Sequence, residues 1–156
     1  MVASTLIFYT MKKTLQKISF LLLLFSLLGI SLKKEKTSTL LVKIENIQNP
    51  KGFVYVTIYD KADSFPENGK ELKIKKVQPT ASIAEVVFEI PNGTYAIASY
   101  QDVNENQKLD KTFVGYPKEP FGFSNNFKPR FSKPAFEDCS FRVSEVSKEI
   151  QISLID

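Results

Sequence analysis

From residue 39 onward the chain alternates apolar and polar positions with a period of two. "TLLVKIENI" sets Leu40, Val42 and Ile44 against Leu41, Lys43 and Glu45. "GFVYVTIYD" sets Val54, Val56 and Ile58 on one face and Phe53, Tyr55, Thr57 and Tyr59 on the other. "SIAEVVFEI" places Ala84, Val86, Phe88 and Ile90 opposite Glu85, Val87 and Glu89. "GTYAIASYQD" offers Tyr95 and Ile97 against Ala96, Ala98 and Tyr100, and "KEIQISLID" points Ile150, Ile152 and Leu154 inward. Successive side chains leave opposite faces of a strand, so each run predicts a strand with one face in a core. "ELKIKKVQ" is weaker and Lys-rich, which suits a sheet edge, where charge discourages further pairing.

Turn residues separate these runs. "QNPKG" at 48–52 and "PNG" at 91–93 are Pro/Gly/Asn clusters, and "KADSFPENGK" at 61–70 is a polar connection. No window of the body has the period of an amphipathic helix. About five to eight short strands at this spacing predict an all-β domain, a small immunoglobulin-like or transthyretin-like β-sandwich. Its predicted core contains Val54, Val56, Ile58, Val86, Phe88, Ile97, Phe141, Ile150 and Ile152. Cys139 alternates with Phe141 and Val143 in "CSFRV" and is expected as a small core hydrophobe on a strand.

The start of the chain has a different pattern. "MKKTLQKISFLLLLFSLLGISLKK" carries Lys12, Lys13 and Lys17 before an apolar run from Ile18 to Ile30, with Gly29 and Ser31 near its exit. That order is the charged and apolar sequence of a secretory signal peptide, and the run is short for a membrane span. The expected organisation is therefore an N-terminal extension and signal peptide over 1–36, then one β-sandwich domain over 37–156. Processing is expected to remove residues 1 to about 31. The expected location is exported: periplasmic, outer-membrane-associated or secreted, with no membrane span in the mature form.

This division changes the meaning of the charge. The chain has 21 Lys+Arg and 17 Asp+Glu. Residues 1–36 hold six of the cations and one anion, Glu35, leaving 15 cations against 16 anions from Thr37 onward. A near-neutral domain lacks the basic footprint of a nucleic-acid binder. The chain has no histidine, which excludes Ser-His-Asp and Cys-His catalysis and histidine-ligated zinc. Its single cysteine, Cys139, excludes an internal disulfide.

The chemistry is concentrated in 102–138, read as one long non-strand segment. Structureless loops beyond about 12–15 residues are uncommon in compact domains and are often functional. "QDVNENQKLD" places Asp102, Asn104 and Asn106 at positions 1, 3 and 5 of an EF-hand-type loop, with the Lys108 carbonyl at 7 and Asp110 at 9. Two usual features are missing, because Gln107 stands at the glycine position and Phe113 at the bidentate glutamate. The five residues predict a low-affinity calcium site. The competing reading is an Asx-rich turn, in which short polar side chains bond their own backbone and Asp102→Asn is nearly neutral. Further on, Phe113, Tyr116, Phe121, Phe123, Phe127, Phe131 and Phe136 surround "GFSNN", and Pro117, Pro120, Pro129 and Pro134 stiffen the path. Tyr116, Phe121, Phe123, Ser124, Asn125 and Asn126 are the candidate binding residues, with aromatic walls and a few orienting polar groups. The alternative is that the rings cap one end of the sandwich and the Asn side chains satisfy loop backbone.

"DVNENQKLDKTFVGYPKEPFGFSNN" followed by "PAFEDCSFRV" resembles the signature of the secreted bacterial proteins grouped as domain of unknown function 2141. The resemblance covers roughly residues 38–156. It implies a signal peptide, a small β-sandwich, an Asp/Asn-Gly turn and a loop ending in Phe-Ser-Asn-Asn. Glu105 and Gln107 depart from it, standing where glycines are common in that turn. The resemblance implies no activity.

The expected function is a non-enzymatic exported module that binds a small molecule, glycan or envelope protein, or serves structurally, with calcium as a stabilising ion. The alternative is a carboxylate-dependent hydrolase of envelope glycans, pairing Asp102 or Asp110 with Glu119, Glu137 or Asp138. A pocket beside the loop favours the first, and two facing carboxylates in a cleft favour the second.

Overall fold

The computed structural model describes residues 12–20, 36–130 and 132–156. The chain divides into two compact units, Met1–Lys34 and Glu35–Asp156. In the first, residues 12–20 form an exposed helix, α1. Most of the expected apolar run and the expected processing point lie outside the described residues. Among the described residues no helix is long and apolar enough to cross a membrane.

The second unit is an all-β sandwich. Its strands are β1 (Thr37–Glu45), β2 (Phe53–Tyr59), β3 (Lys73–Val77), β4 (Ala84–Pro91), β5 (Gly93–Asp102), β6 (Phe121–Phe123), β7 (Phe141–Val143) and β8 (Ser147–Ser153). One sheet has the order β4-β1-β8, with β1 antiparallel to β4 and parallel to β8. The other has the order β3-β2-β5-β6, and β7 pairs with the first residues of β5. The apolar faces read from the sequence meet between the sheets. Leu40, Val42, Ile44, Val54, Val56, Ile58, Val86, Phe88, Ile90, Ile97 and Ile152 are buried together there. Phe141 and Ile150, expected in this core, are only partly buried against it. Ile150 lies on β8, an edge strand whose outer side has no neighbour in its sheet.

The Lys-rich run is an edge strand, as its composition predicts. Lys73 Nζ donates to the Glu89 carbonyl and Lys75 Nζ to the Val87 carbonyl, each at 2.6 Å. The ammonium groups of one sheet's edge thus occupy carbonyls on β4, the edge of the other. That occupies edge carbonyls of β4, and the charge on β3 discourages pairing there.

A second core lies on the outer face of the β3-β2-β5-β6 sheet. Tyr55, Tyr59, Ala96 and Tyr100 are buried there with Phe65, Phe121, Phe123 and Cys139, and Leu109, Phe127 and Phe136 pack against them. β2 and β5 are consequently covered on both faces, and the 102–138 segment supplies most of the cover. The rings meet mainly edge to face: Phe65 lies 6.0 Å from both Phe123 and Phe136, and Phe121 lies 5.9 Å from Phe123. Tyr55 and Tyr100 are stacked at 5.0 Å. Each such pair adds about 0.5–1.5 kcal/mol beyond its area burial. The segment is therefore not one long structureless loop. It contains β6, a 3-10 turn at Ser124–Asn126 and a short helix, α2 (Phe136–Cys139). Cys139 is fully buried, but at the end of α2 rather than on a strand.

Candidate functional site

The site grows from the end of β5. Asp102 closes that strand and is fully buried. Gly52 makes room for it: a Cβ on Gly52 would stand 1.9 Å from the Asp102 carbonyl oxygen, and its φ is +65°. Gln101, also buried, donates to the Lys51 carbonyl at 2.8 Å and to the Asn49 carbonyl, tying the β1–β2 turn to the same place.

The carboxylate of Asp102 reaches into the following turn. Its Oδ1 accepts the Asn106 N–H at 3.0 Å and its Oδ2 the Gln107 N–H at 2.8 Å. Asn104 Oδ1 accepts the Asn106 N–H at 3.1 Å, and Asn106 Oδ1 accepts the Lys108 N–H at 2.9 Å. These are two consecutive Asx turns, each side chain bonding the backbone two residues on. The Asn104 and Asn106 amides donate to Asp110 Oδ2 at 2.8 and 3.1 Å. Glu105 and Gln107 take φ of +61° and +65° to complete the turn. The structure thus brings Asp102, Asn104, Asn106 and Asp110 together, and their oxygens serve the turn's own donors. Lys108 enters through its N–H. Among the described residues no three His, Cys, Asp or Glu side chains cluster as a metal site.

Beyond the turn, residues 110–118 form a β-hairpin. The Lys118 N–H returns to the Asp110 carbonyl at 2.8 Å, Lys111 bridges Pro117, and the Thr112 N–H donates to the Tyr116 carbonyl at 2.7 Å. The tip closes through Gly115 N–H to the Thr112 carbonyl at 2.9 Å and Tyr116 N–H to Thr112 Oγ1 at 3.0 Å. Gly115 has φ of +85°, a conformation glycine adopts freely. Tyr116 stands edge-on to Phe121 at 5.7 Å, which anchors the hairpin to the second core. Glu119 fixes the base. It is buried, and its two carboxylate oxygens accept the Val103 and Asp110 N–H groups, both at 3.0 Å.

At the tip the pattern reverses. Phe113 is 107% exposed and Val114 85%. Lys108, Lys111 and Lys118 are exposed around them. Two adjacent apolar side chains stand in water on a turn closed by four hydrogen bonds, which is unusual for an element that serves only the fold.

The other expected binding residues are used differently. Phe121 and Phe123 are buried in the second core. Ser124 is fully buried; its hydroxyl oxygen accepts the Ile97 N–H at 2.9 Å, and the hydroxyl donates to the Cys139 carbonyl. Asn125 donates to the Asp138 and Ser140 carbonyls at 3.2 and 3.0 Å. Asn126 accepts the Ser153 N–H at 2.8 Å. The Ser-Asn-Asn run therefore pins β5, β8 and α2 to one another instead of lining a pocket. Of the expected binding residues only Tyr116 belongs to the exposed hairpin. The sequence signal for its tip is "KTFVGYPK": a glycine turn with two apolar residues between lysines.

Of the carboxylates in the hydrolase reading, Asp102, Asp110, Glu119 and Asp138 are engaged, and Glu137 is exposed. Asp102 and Glu119 each use both oxygens on backbone N–H groups, and Asp138 accepts the Ala135 N–H at 3.1 Å. Burial, and then the nearby Asp138 charge, pushes the Cys139 thiol up to about 12, so it remains protonated. Burial likewise raises Tyr100, with the Tyr55, Asp102 and Glu119 charges adding to it.

No curated protein and no solved structure matches the chain. The sequence pattern of DUF2141, described as an uncharacterized protein conserved in bacteria, matches residues 42–151. That span runs from β1 into β8 and takes in the whole hairpin, so the chain belongs to this bacterial family.

Proposed function

We propose that the chain is an exported, non-enzymatic recognition module of the bacterial envelope, and that the 110–118 hairpin is the element through which it touches its partner. The observation that carries this reading is the exposure of Phe113 and Val114 on a hairpin held rigid by Glu119, the Asp102 turn and Tyr116. An apolar tip exposed at a defined position loses little entropy when it is bound. The non-enzymatic part is supported by Asp102 and Glu119, whose oxygens all hold backbone donors and so are poorly placed to exchange protons with a substrate. Export is supported by the Lys-flanked apolar segment at the start of the chain.

The test is the distribution of the protein in a bacterial host that exports it. The wild type should be retained in the envelope fraction. The double variant Phe113→Ser/Val114→Ser should pass to the soluble exported fraction with an unchanged melting curve, because neither side chain is packed. Equal retention of the two would refute the hairpin as the contact element.

A further inference from the structure

We infer that the partner of the hairpin is an anionic lipid surface, which Phe113 and Val114 enter while Lys111 and Lys118 meet the headgroups. This rests on the reading of the hairpin as a contact element and names what it contacts. Four observations carry it. The tip is convex and narrow, two apolar side chains on a turn, which suits insertion between lipids better than the broad packed core of a protein interface. Exposed cations flank the tip. Lys111 precedes Phe113 by two residues at the foot of the turn, and interfacial segments sink their apolar side about 5–10 Å into the headgroup boundary. Lys118 leaves the opposite arm of the same hairpin, and Lys108 is exposed in the turn that precedes it. None of the three lysines is in an ion pair among the described residues.

Of the nearby carboxylates, all but Glu105 are less exposed than the lysines. Asp110 is half-buried, with its Oδ2 accepting the Asn104 and Asn106 amides. Asp102 and Glu119 are buried beneath the stem. Glu105 alone is an exposed carboxylate of the turn. Long lysine side chains can keep their charge in the headgroup layer while their stems lie along the apolar tip. An apolar insertion and a basic patch together meet the two-signal requirement for stable peripheral attachment.

The experiment is co-sedimentation of the purified, exported protein with vesicles. Vesicles rich in phosphatidylglycerol should bind it at low salt, and phosphatidylcholine vesicles should bind it far less. Raising the salt should release it, because the headgroup attraction is screened. Phe113→Ser/Val114→Ser should weaken binding about tenfold or more, in line with the apolar surface removed. Lys111→Gln and Lys118→Gln should each weaken it about fivefold on anionic vesicles only. No binding of the wild type to anionic vesicles, or equal binding by the tip variant, overturns the lipid assignment. If envelope retention in cells still depends on Phe113 and Val114 in that case, the hairpin contacts a protein or a glycan and the broader reading survives. If retention is also indifferent to them, both fail.

Discussion

Asp110 and Glu119, nine positions apart, are joined across the base of the hairpin: Glu119 Oε2 accepts the Asp110 N–H at 3.0 Å. The other oxygen of the same carboxylate accepts Val103 N–H, so one buried side chain holds both the start of the turn and the foot of the stem. Glu119→Gln keeps the size but replaces one acceptor with a donor facing an N–H. It should cost about 1–3 kcal/mol, the penalty for a buried donor left unmatched. Urea unfolding measures it, and a loss below about 0.5 kcal/mol would show that water takes over the role.

Asp102 makes a similar prediction and revises an expectation. A hydrogen-bonded turn suggested from sequence that Asp102→Asn would be nearly neutral. The two oxygens, however, serve two different N–H groups, on Asn106 and Gln107. An amide can accept only one of them, and its NH2 opposes the other. Asp102→Asn should therefore destabilise by about 1–3 kcal/mol.

Calcium addresses the same turn. The side-chain oxygens of Asp102, Asn104 and Asn106 already accept backbone donors, so the turn closes on its own hydrogen bonds. Calcium at about 10 mM, well above the range of weak extracellular sites, is expected to leave the melting temperature unmoved. A rise that magnesium does not reproduce would show that the turn takes up the ion.

Glu105 and Gln107 hold left-handed backbone without being glycine. A side chain in that region costs roughly 1–2 kcal/mol, against roughly 0.5–1 kcal/mol of extra chain entropy for glycine in the unfolded state. Glu105→Gly and Gln107→Gly should each be neutral to stabilising by up to about 1 kcal/mol. A loss of more than that in thermal unfolding would mean that the side chains hold the turn.

The buried protonated groups set the response to alkali. Cys139 and Tyr100 are raised by burial, as is Tyr59. Raised groups keep their protons in the folded chain after the unfolded chain has lost them, so stability is unaffected at low pH and falls as pH rises. For Cys139 the fall runs from the ordinary thiol range to about 12. For the tyrosines it begins near pH 10. Urea midpoints across this range should decline, and Cys139→Ala should flatten the earlier part. The native thiol should also resist thiol reagents near pH 8 and react once unfolded.

The first core was legible in the sequence because it depends on period-two alternation alone. Val54, Val56, Ile58, Val86 and Phe88 all face inward as the pattern requires, and the Lys-rich run is an edge. The second core was not legible. Phe65, Phe121, Phe123 and Phe136 are brought together by long-range folding of segments interrupted by proline, with no shared period. The aromatic-rich segment therefore left a pocket and a cap on one end of the sandwich both open, whereas Phe121 and Phe123 cover the outer face of β2 and β5. The polar residues of the turn were found by their spacing. Glu119 was noticed only as a candidate acid, because nothing local shows that a carboxylate will be buried against the N–H groups of Val103 and Asp110.

The most direct test of the hairpin as the contact element uses a reporter at its tip. Val114→Cys can be labelled selectively with an environment-sensitive dye, because Cys139 is buried. The control is Ser144→Cys, which lies beside the start of β5, while the hairpin follows its end about 30 Å along the strand. Mixed with envelope preparations, the Val114 label should shift to the blue and the Ser144 label should not move. Equal spectra at the two positions would contradict the account.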